Sequence, residues 1–171
     1  TAMIYKNGKT LFYNIENSGK KGDKNISNQS YKPNLETIFP IWSMSKPITI
    51  VAMMILRERG MISIDDNLSK YIPEFKNMTC KGEKGKYPCK NEIKIIHLLT
   101  HRSGFGYYSD QGYGYGFTNT LTYNNLEDFA KDLSKVELEF EPGEKYYYGL
   151  NQALLGRVVE IVSKKSFYDF L

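Results

Sequence analysis

Residues 43–56 read SMSKPITIVAMMIL and form the most apolar stretch of this chain. The stretch is too short to cross a bilayer, and the charged tetrapeptide RERG follows it, as expected after a helix of a globular protein. Proline lacks the N–H that a helix interior needs, so Pro47 belongs in the first turn. A helix that is apolar on every side is usually buried. We therefore predict a buried helix that begins near Ser43 and ends just before Gly60.

Ser43 and Lys46 lie one turn apart on this helix, at the positive end of its dipole. A serine hydroxyl becomes a nucleophile when a base takes its proton, and a desolvated lysine can be that base because burial lowers its pKa. The pattern S-x-x-K also arises by chance, as a helix-capping serine followed by a lysine whose stem covers apolar surface. These four residues alone leave both interpretations open.

Further segments around this helix resemble one family of enzymes. In chain order they are IFPIWSMSKP (38–47), GMISIDD (60–66), YIPEF (71–75), IHLLTHRSGF (96–105), and EPGEKYYYGLN (141–151) followed by LGRVVE (155–160). The chain resembles the serine β-lactamase-like hydrolases, in particular the branch of class C β-lactamases, D-alanyl-D-alanine carboxypeptidases and family VIII esterases. The resemblance covers nearly the whole chain and is looser before Ile38.

The resemblance implies an α+β fold of the β-lactamase/transpeptidase type. Residues 1–171 would be the N-terminal part of a single catalytic domain, with a sheet hairpin at 1–15 and a mainly helical lobe at 38–171. Members of the family close the site with a third motif on a downstream strand, which helps to form the oxyanion hole. Nothing after Asn151 resembles that motif. We therefore expect the remainder of a longer protein to complete the fold, and the isolated 171 residues to be inactive.

Three residues are implied as catalytic. Ser43 resembles the nucleophile that accepts the acyl group, Lys46 its proton partner, and Tyr148 the tyrosine of the second motif. A neighbouring ammonium favours the phenolate, so Tyr148 could relay a proton to the leaving group and later activate water. Tyr146 and Tyr147 stand beside it and are the alternatives.

The second motif departs from the Y-x-N pattern, because Leu150 stands two places after Tyr148 and Asn151 comes one step late. This fits the esterase-like members better than the β-lactamases. We assign Asn151 to substrate binding together with Tyr107 and Tyr108. The last two belong to the glycine- and tyrosine-rich segment 104–125, which we predict to be a wall of the substrate cleft rather than a mobile surface loop.

Local patterns predict the other elements. Asn7-Gly8 between two β-type runs predicts a hairpin, and 16–32 has the composition of an exposed connection. Helices are predicted over 93–100, from Leu126 onward, over 151–163, and at the C-terminal end of the chain. Their caps are Asn124 or Asn125 before Leu126 and Ser166 before the last helix, while Asp65 is expected to cap a short helix that Pro73 ends.

His101 is one of two histidines in the chain. The resemblance implies that its turn packs behind the site, so we expect a structural role. No second metal ligand lies at a useful spacing from it, and no metal or other cofactor is implied.

Cys80 and Cys89 flank a loop rich in lysine and glycine, CKGEKGKYPC. They could close a disulfide, which requires an oxidising compartment, or remain free thiols in the cytoplasm. A zinc site would need two further ligands nearby, and the segment offers none. We favour a periplasmic or secreted protein, because the family largely acts on cell-wall peptides.

The composition limits the classes of partner. The net charge of +4 arises from 23 basic and 19 acidic residues spread along the chain, which gives no argument for nucleic acid. No segment predicts stable membrane insertion. The sequence therefore predicts a serine hydrolase that acts through an acyl-serine intermediate on small esters or related amides. The alternatives are a non-catalytic binding or regulatory module of the penicillin-recognising type and an inactive fragment of the enzyme.

Overall fold

The computed structural model describes residues 2–15, 34, 36–109, 112–113 and 123–171. The chain divides into two compact units, Thr1–Trp42 and Ser43–Leu171. The connection predicted at 16–32 lies outside the described residues. None of the helices in the described part of the chain is long and apolar enough to span a bilayer.

The first unit contains the predicted hairpin. Strand β1 (Ala2–Lys6) pairs antiparallel with β2 (Lys9–Asn14), with Ile4 opposite Phe12. The turn residues Asn7 and Gly8 have φ values of 50° and 76°, the left-handed conformation that Asn-Gly adopts readily in hairpin turns. The Asn-Gly signal thus identified this element correctly.

The apolar stretch forms a helix with the predicted limits and a different burial. A 3-10 turn (Trp42–Ser45) leads into α1 (Lys46–Glu58), with Pro47 in its first turn. The buried residues Thr49, Ala52, Met53 and Leu56 recur at the spacing of one helical face. In contrast, Ile48 is 45% and Val51 57% exposed in the structure. The prediction that the helix is buried on every side is therefore wrong. Within the part of the chain that the structure describes, other residues cover only one face of α1.

Helix α4 (Asn151–Ser163) is the centre of the second unit and matches its predicted limits. It packs against α1, α2 (Ile95–Leu99), α3 (Leu126–Leu133) and α5 (Phe167–Phe170). The fully buried side chains at this centre are large and apolar, and each stabilises the fold by about 1.5–3 kcal/mol. They include Met53, Leu56, Leu98, Leu133, Leu154, Leu155, Val158 and Val159.

The helix caps test the local predictions. Asn125 caps α3, because its Oδ1 accepts a hydrogen bond from the Asp128 N–H at 2.7 Å. Ser166 caps α5, because its Oγ accepts one from the Asp169 N–H at 3.0 Å. The helix expected after Asp65 is replaced by two 3-10 turns, Leu68–Lys70 and Pro73–Phe75. Asn67, not Asp65, precedes the first of them, so that predicted cap is wrong.

The cysteine segment forms a hairpin that the sequence did not predict. Strand β3 (Thr79–Gly82) pairs with β4 (Gly85–Pro88), and a disulfide joins Cys80 to Cys89 with their Cα atoms 5.1 Å apart. The structure thus contains the disulfide rather than the free thiols. A further short hairpin, β5 (Tyr108–Ser109) with β6 (Gly112–Tyr113), lies in the segment predicted to form a cleft wall.

Candidate active site

The three residues predicted as catalytic come together in the second unit. Ser43 lies in the 3-10 turn before α1, Lys46 is the first residue of α1, and Tyr148 lies in the loop that precedes α4. The Lys46 ammonium donates a hydrogen bond to Ser43 Oγ at 3.1 Å, and the Tyr148 hydroxyl donates to the same atom at 2.8 Å. A donor from the same helical turn and a donor from a distant loop therefore both contact the exposed Ser43 hydroxyl.

The structure distinguishes Tyr148 from its two neighbours. The Tyr147 ring packs against Phe140, with centroids 6.5 Å apart, and Tyr146 is 67% exposed. Only Tyr148, of these three, has a hydrogen bond to Ser43 among the contacts of the described residues. The geometry thus favours the tyrosine that the motif predicted.

The electrostatics of Lys46 distinguish between the two roles that the sequence allows for it. Burial alone would lower the pKa of Lys46, but a hydrogen bond to Tyr148 and the proximity of Tyr107 outweigh it, and the pKa of Lys46 is raised. Lys46 is only half-buried, so its desolvation is too small to neutralise it. Of the two roles that the sequence allows for Lys46, the electrostatics therefore favour the ammonium beside Tyr148 over the desolvated base, because two phenol groups stabilise the ammonium form.

Tyr148 is shifted in the opposite direction. Hydrogen bonds with Lys46 and then with Ser43 lower the pKa of the Tyr148 phenol below its usual value. The Lys46 Nζ also lies 4.8 Å from the centre of the Tyr148 ring. An ammonium that stays protonated next to a phenol that ionises more readily makes Tyr148, rather than Lys46, the better proton acceptor for Ser43.

The side chains of His101, Ser103 and Asn151 form a hydrogen-bonded group next to Tyr148, called the supporting group below. The His101 and Tyr148 ring centroids are 4.6 Å apart. The Gly149 N–H donates to His101 Nδ1 at 3.4 Å, and the Asn151 amide lies 2.8 Å from the same nitrogen. Because a backbone N–H can only donate, Nδ1 is an acceptor and the neutral ring carries its proton on Nε2. Burial, and then the charge of Lys46, lower the pKa of His101, which favours this neutral form.

Asn151 belongs to this supporting group rather than to the exposed side of the site. It is fully buried, and its amide oxygen accepts a hydrogen bond from the buried Ser103 hydroxyl. Both ends of the Asn151 amide are therefore engaged with the protein, by Ser103 and by His101. The structure thus does not bring Asn151 to the surface where we expected it to bind substrate.

Two glycines allow the supporting group to form. A Cβ atom on Gly149 would lie 2.5 Å from the Phe105 carbonyl oxygen, and one on Gly106 would lie 2.4 Å from the Tyr147 ring. The Tyr147 N–H also donates to the His101 carbonyl at 2.8 Å. The segment that carries His101 and the loop that carries Tyr148 are therefore in direct backbone contact. This agrees with the prediction that the turn containing His101 packs behind the site.

Of the two tyrosines assigned to substrate binding, Tyr107 is placed beside the cluster. Its ring centroid lies 5.5 Å from that of Tyr148, and it is a hydrogen-bond partner of Lys46. The side chain of Tyr108 lies outside the described residues, although its backbone is part of β5. The same is true of most of the predicted cleft wall, since 110–111 and 114–122 are not described.

The two cysteines lie near an acidic residue, which raises the question of a metal site. Cys80, Cys89 and Glu141 are close enough together to be considered as a metal-binding group. Both sulfurs are committed to the disulfide, and the Glu141 carboxylate accepts hydrogen bonds from the Lys90 and Asn91 N–H groups at 3.0 and 3.1 Å. Glu141 therefore fixes the end of the disulfide loop, and these three residues do not form a metal site.

The chain is similar in sequence to several known proteins. The Beta-lactamase family model matches residues 1–171. Esterase EstB of Burkholderia gladioli is 33% identical over 132 residues, which is 73% of this chain and 32% of the esterase. This chain thus spans about a third of the length of the curated relatives that it matches.

Solved structures give the same result. The structure of EstCE1, described as a hydrolase with promiscuous acyltransferase activity, has a TM-score of 0.63 and 30% identity, over 75% of this chain and 34% of that one. A penicillin-binding protein from Bacillus halodurans has a TM-score of 0.54 and 29% identity, over 73% of this chain and 34% of its own. The α+β fold class predicted from the sequence is confirmed.

Proposed function

Because this chain belongs to the Beta-lactamase family, we propose that its protein is a serine hydrolase that forms an acyl-serine intermediate on carboxylic esters or related amides. One observation carries the proposal. The Tyr148 hydroxyl and the Lys46 ammonium both meet Ser43 Oγ, at 2.8 and 3.1 Å. A serine hydroxyl next to a phenol that accepts its proton once ionised, and to a cation that favours that ionisation, is the arrangement that an activated serine needs.

In the proposed acylation step, the Tyr148 phenolate takes the proton of Ser43 while Oγ forms a bond to the substrate carbonyl carbon. The bond from that carbon to the leaving alkoxide breaks, and Tyr148 returns the proton to the leaving oxygen. Lys46 remains an ammonium throughout and stabilises the phenolate, in agreement with the raised pKa of Lys46 and the lowered pKa of Tyr148. In deacylation the Tyr148 phenolate takes a proton from water while the water oxygen forms a bond to the acyl carbon. The bond from that carbon to Ser43 Oγ breaks, and Tyr148 returns the proton to Oγ.

The developing negative charge on the carbonyl oxygen needs hydrogen-bond donors. We propose the backbone N–H of Ser43 as one of them. The second donor is proposed to come from sequence beyond these residues, because the chain spans about a third of its relatives. Completion of the site by the remainder of the protein is thus part of the proposal.

We favour esters over β-lactams as substrates. Leu150 stands two residues after Tyr148 and is 8% exposed, so an apolar side chain occupies the place of the asparagine in Y-x-N. An apolar group offers no hydrogen bond to the polar amide of a β-lactam, and leaving such an amide unpaired is costly. One of the similar proteins is named as an esterase, which supports the same choice.

The Cys80–Cys89 disulfide supports a periplasmic or secreted location. Disulfides persist mainly in oxidising compartments. This proposal is independent of the catalytic one, and it is tested by locating the protein in fractionated cells.

The catalytic proposal is tested with the full-length gene product on p-nitrophenyl esters and on a chromogenic cephalosporin. We expect ester hydrolysis that Ser43→Ala abolishes and Ser45→Ala retains. Ser45 is a matched control, because it is a serine of the same 3-10 turn. A folded protein that hydrolyses no ester and no cephalosporin would favour a non-catalytic binding module instead.

A further inference from the structure

We propose that a cavity beside Tyr107 binds the acyl chain of the ester and makes the enzyme prefer chains longer than acetyl. This inference rests on the proposed function and names the substrate class of the same site. The cavity has a volume of about 480 Å³, within the range of small-molecule sites. Six of its lining residues are Tyr107, Tyr123, Leu126, Phe129, Leu150 and Ala153.

The position of the cavity follows from two residues that also belong to the active-site region. Tyr107 lines the cavity, and its ring centroid lies 5.5 Å from that of Tyr148. Leu150 lines it as well and is two residues from Tyr148 in sequence. The Tyr148 hydroxyl is 2.8 Å from Ser43 Oγ, so Tyr148 contacts both the serine and Tyr107 of the cavity wall. We therefore expect an acetyl group on Ser43 to be too short to enter the cavity and a longer acyl chain to reach it.

The chemistry of the walls favours an uncharged, apolar chain. Leu126, Phe129, Leu150 and Ala153 contribute hydrocarbon surface, and none of the described residues that line the cavity is charged. A charged group placed there would lose its hydration without gaining an ion pair, which disfavours acyl chains that end in a carboxylate or an ammonium.

The polar groups at the rim are largely occupied by the protein itself. The Tyr123 hydroxyl donates to Asp132 at 3.0 Å, and Asn125 Oδ1 accepts from the Asp128 N–H as the cap of α3. Tyr123 therefore presents mainly its ring to the cavity. Burial of each methylene in such a site is expected to raise kcat/KM about two- to fourfold.

Ala153 offers the sharpest test, because it is half-buried on α4 and faces the cavity without belonging to the fully buried core. We would measure kcat/KM of the full-length gene product for p-nitrophenyl acetate, butyrate, hexanoate and octanoate. Wild type is expected to favour octanoate over acetate. Ala153→Phe fills the cavity and should reduce the octanoate-to-acetate ratio about tenfold or more, with Ala153→Leu intermediate.

Ile161→Phe is the matched control, since it enlarges a partly buried residue of the same helix that does not line the cavity. It should leave the octanoate-to-acetate ratio unchanged. An unchanged ratio in a folded Ala153→Phe protein would overturn the inference, as would a wild-type preference for acetate. If thermal melting shows that Ala153→Phe is unfolded, the ratio in Ala153→Leu decides. Absence of hydrolysis for every ester would instead contradict the proposed function itself.

Discussion

The two sides of Tyr148 differ in exposure and in what holds them. On the outer side, Ser43 is exposed and Lys46 half-buried, and their contacts to Tyr148 are the charged and reactive ones. On the inner side, Ser103 and Asn151 are fully buried and form an uncharged hydrogen-bonded chain to His101. In the proposed mechanism, the outer residues supply the chemistry and the inner ones fix the direction of the phenol.

This comparison predicts different consequences for substitutions on the two sides. Outer variants should lose activity with little change in stability, because they remove exposed groups. Inner variants should lose stability first, because a buried polar group that loses its partner is costly.

The largest effect on the outer side is expected for Tyr148→Phe. It removes the proposed proton acceptor and should reduce kcat about 10²- to 10⁴-fold, the usual contribution of general acid–base catalysis. The melting temperature should change little, since the hydroxyl contacts only exposed or half-buried partners. The test compares ester hydrolysis and thermal melting with those of Tyr146→Phe, which alters an exposed tyrosine two residues away. Equal activity in the two variants would exclude Tyr148 as the base.

The next effect is a shift of the pH profile in Lys46→Met. Since the phenolate is the active form, kcat/KM should rise with pH through the pKa of Tyr148, which Lys46 holds below its usual value of 10.0. Without the Lys46 ammonium, the pKa of Tyr148 rises towards its usual value. The pH at which kcat/KM increases therefore moves upward as well. Activity at neutral pH should then fall about tenfold for each unit of the shift. A rising limb that stays in place would show that Lys46 does not control the ionisation of Tyr148.

On the inner side, Asn151→Ala is expected to destabilise the fold by about 1–3 kcal/mol, because Ser103 and His101 each lose a buried partner. Denaturant unfolding measures this loss. Activity should fall less than in Tyr148→Phe, through poorer orientation of the phenol. A variant with unaltered stability and an activity loss as large as that of Tyr148→Phe would place Asn151 on the outer side after all.

The smallest effect on activity is expected from the disulfide, which lies in a hairpin separate from the cluster. Replacing both Cys80 and Cys89 by alanine opens a short loop and should cost about 2–3 kcal/mol of stability. Ester hydrolysis by the folded variant should remain close to wild type at a temperature below its melting transition. A large loss of kcat under those conditions would link the hairpin to the site.

The sequence predicted those parts of the site that depend on local geometry. Ser43 and Lys46 are three residues apart at the start of one helix, so their contact follows from helical spacing. Asn7-Gly8 and the capping residues Asn125 and Ser166 were likewise predicted from chemistry that acts within a few residues.

The features that the sequence did not predict depend on contacts between distant segments. The direction of the pKa shift of Lys46 is set by Tyr107 and Tyr148, which are far from it in sequence. The prediction that Asn151 binds substrate differs from the structure, in which its side chain contacts Ser103 and His101, two residues far from it in sequence. The composition of the cysteine segment predicts a loop, since lysine and glycine have low β-propensity. In the structure, β3 also exchanges backbone hydrogen bonds with Leu138, which is distant in sequence and supports the hairpin.

The most direct test of the central claim is the intact mass of the full-length protein after incubation with a fluorophosphonate probe, which phosphonylates an activated serine hydroxyl. The account predicts one adduct, absent in Ser43→Ala, retained in Ser45→Ala, and formed much more slowly in Tyr148→Phe. Labelling of Ser43 at an equal rate with and without the Tyr148 hydroxyl would contradict the role of Tyr148. The absence of any adduct on the folded wild-type protein would contradict the acyl-serine mechanism as a whole.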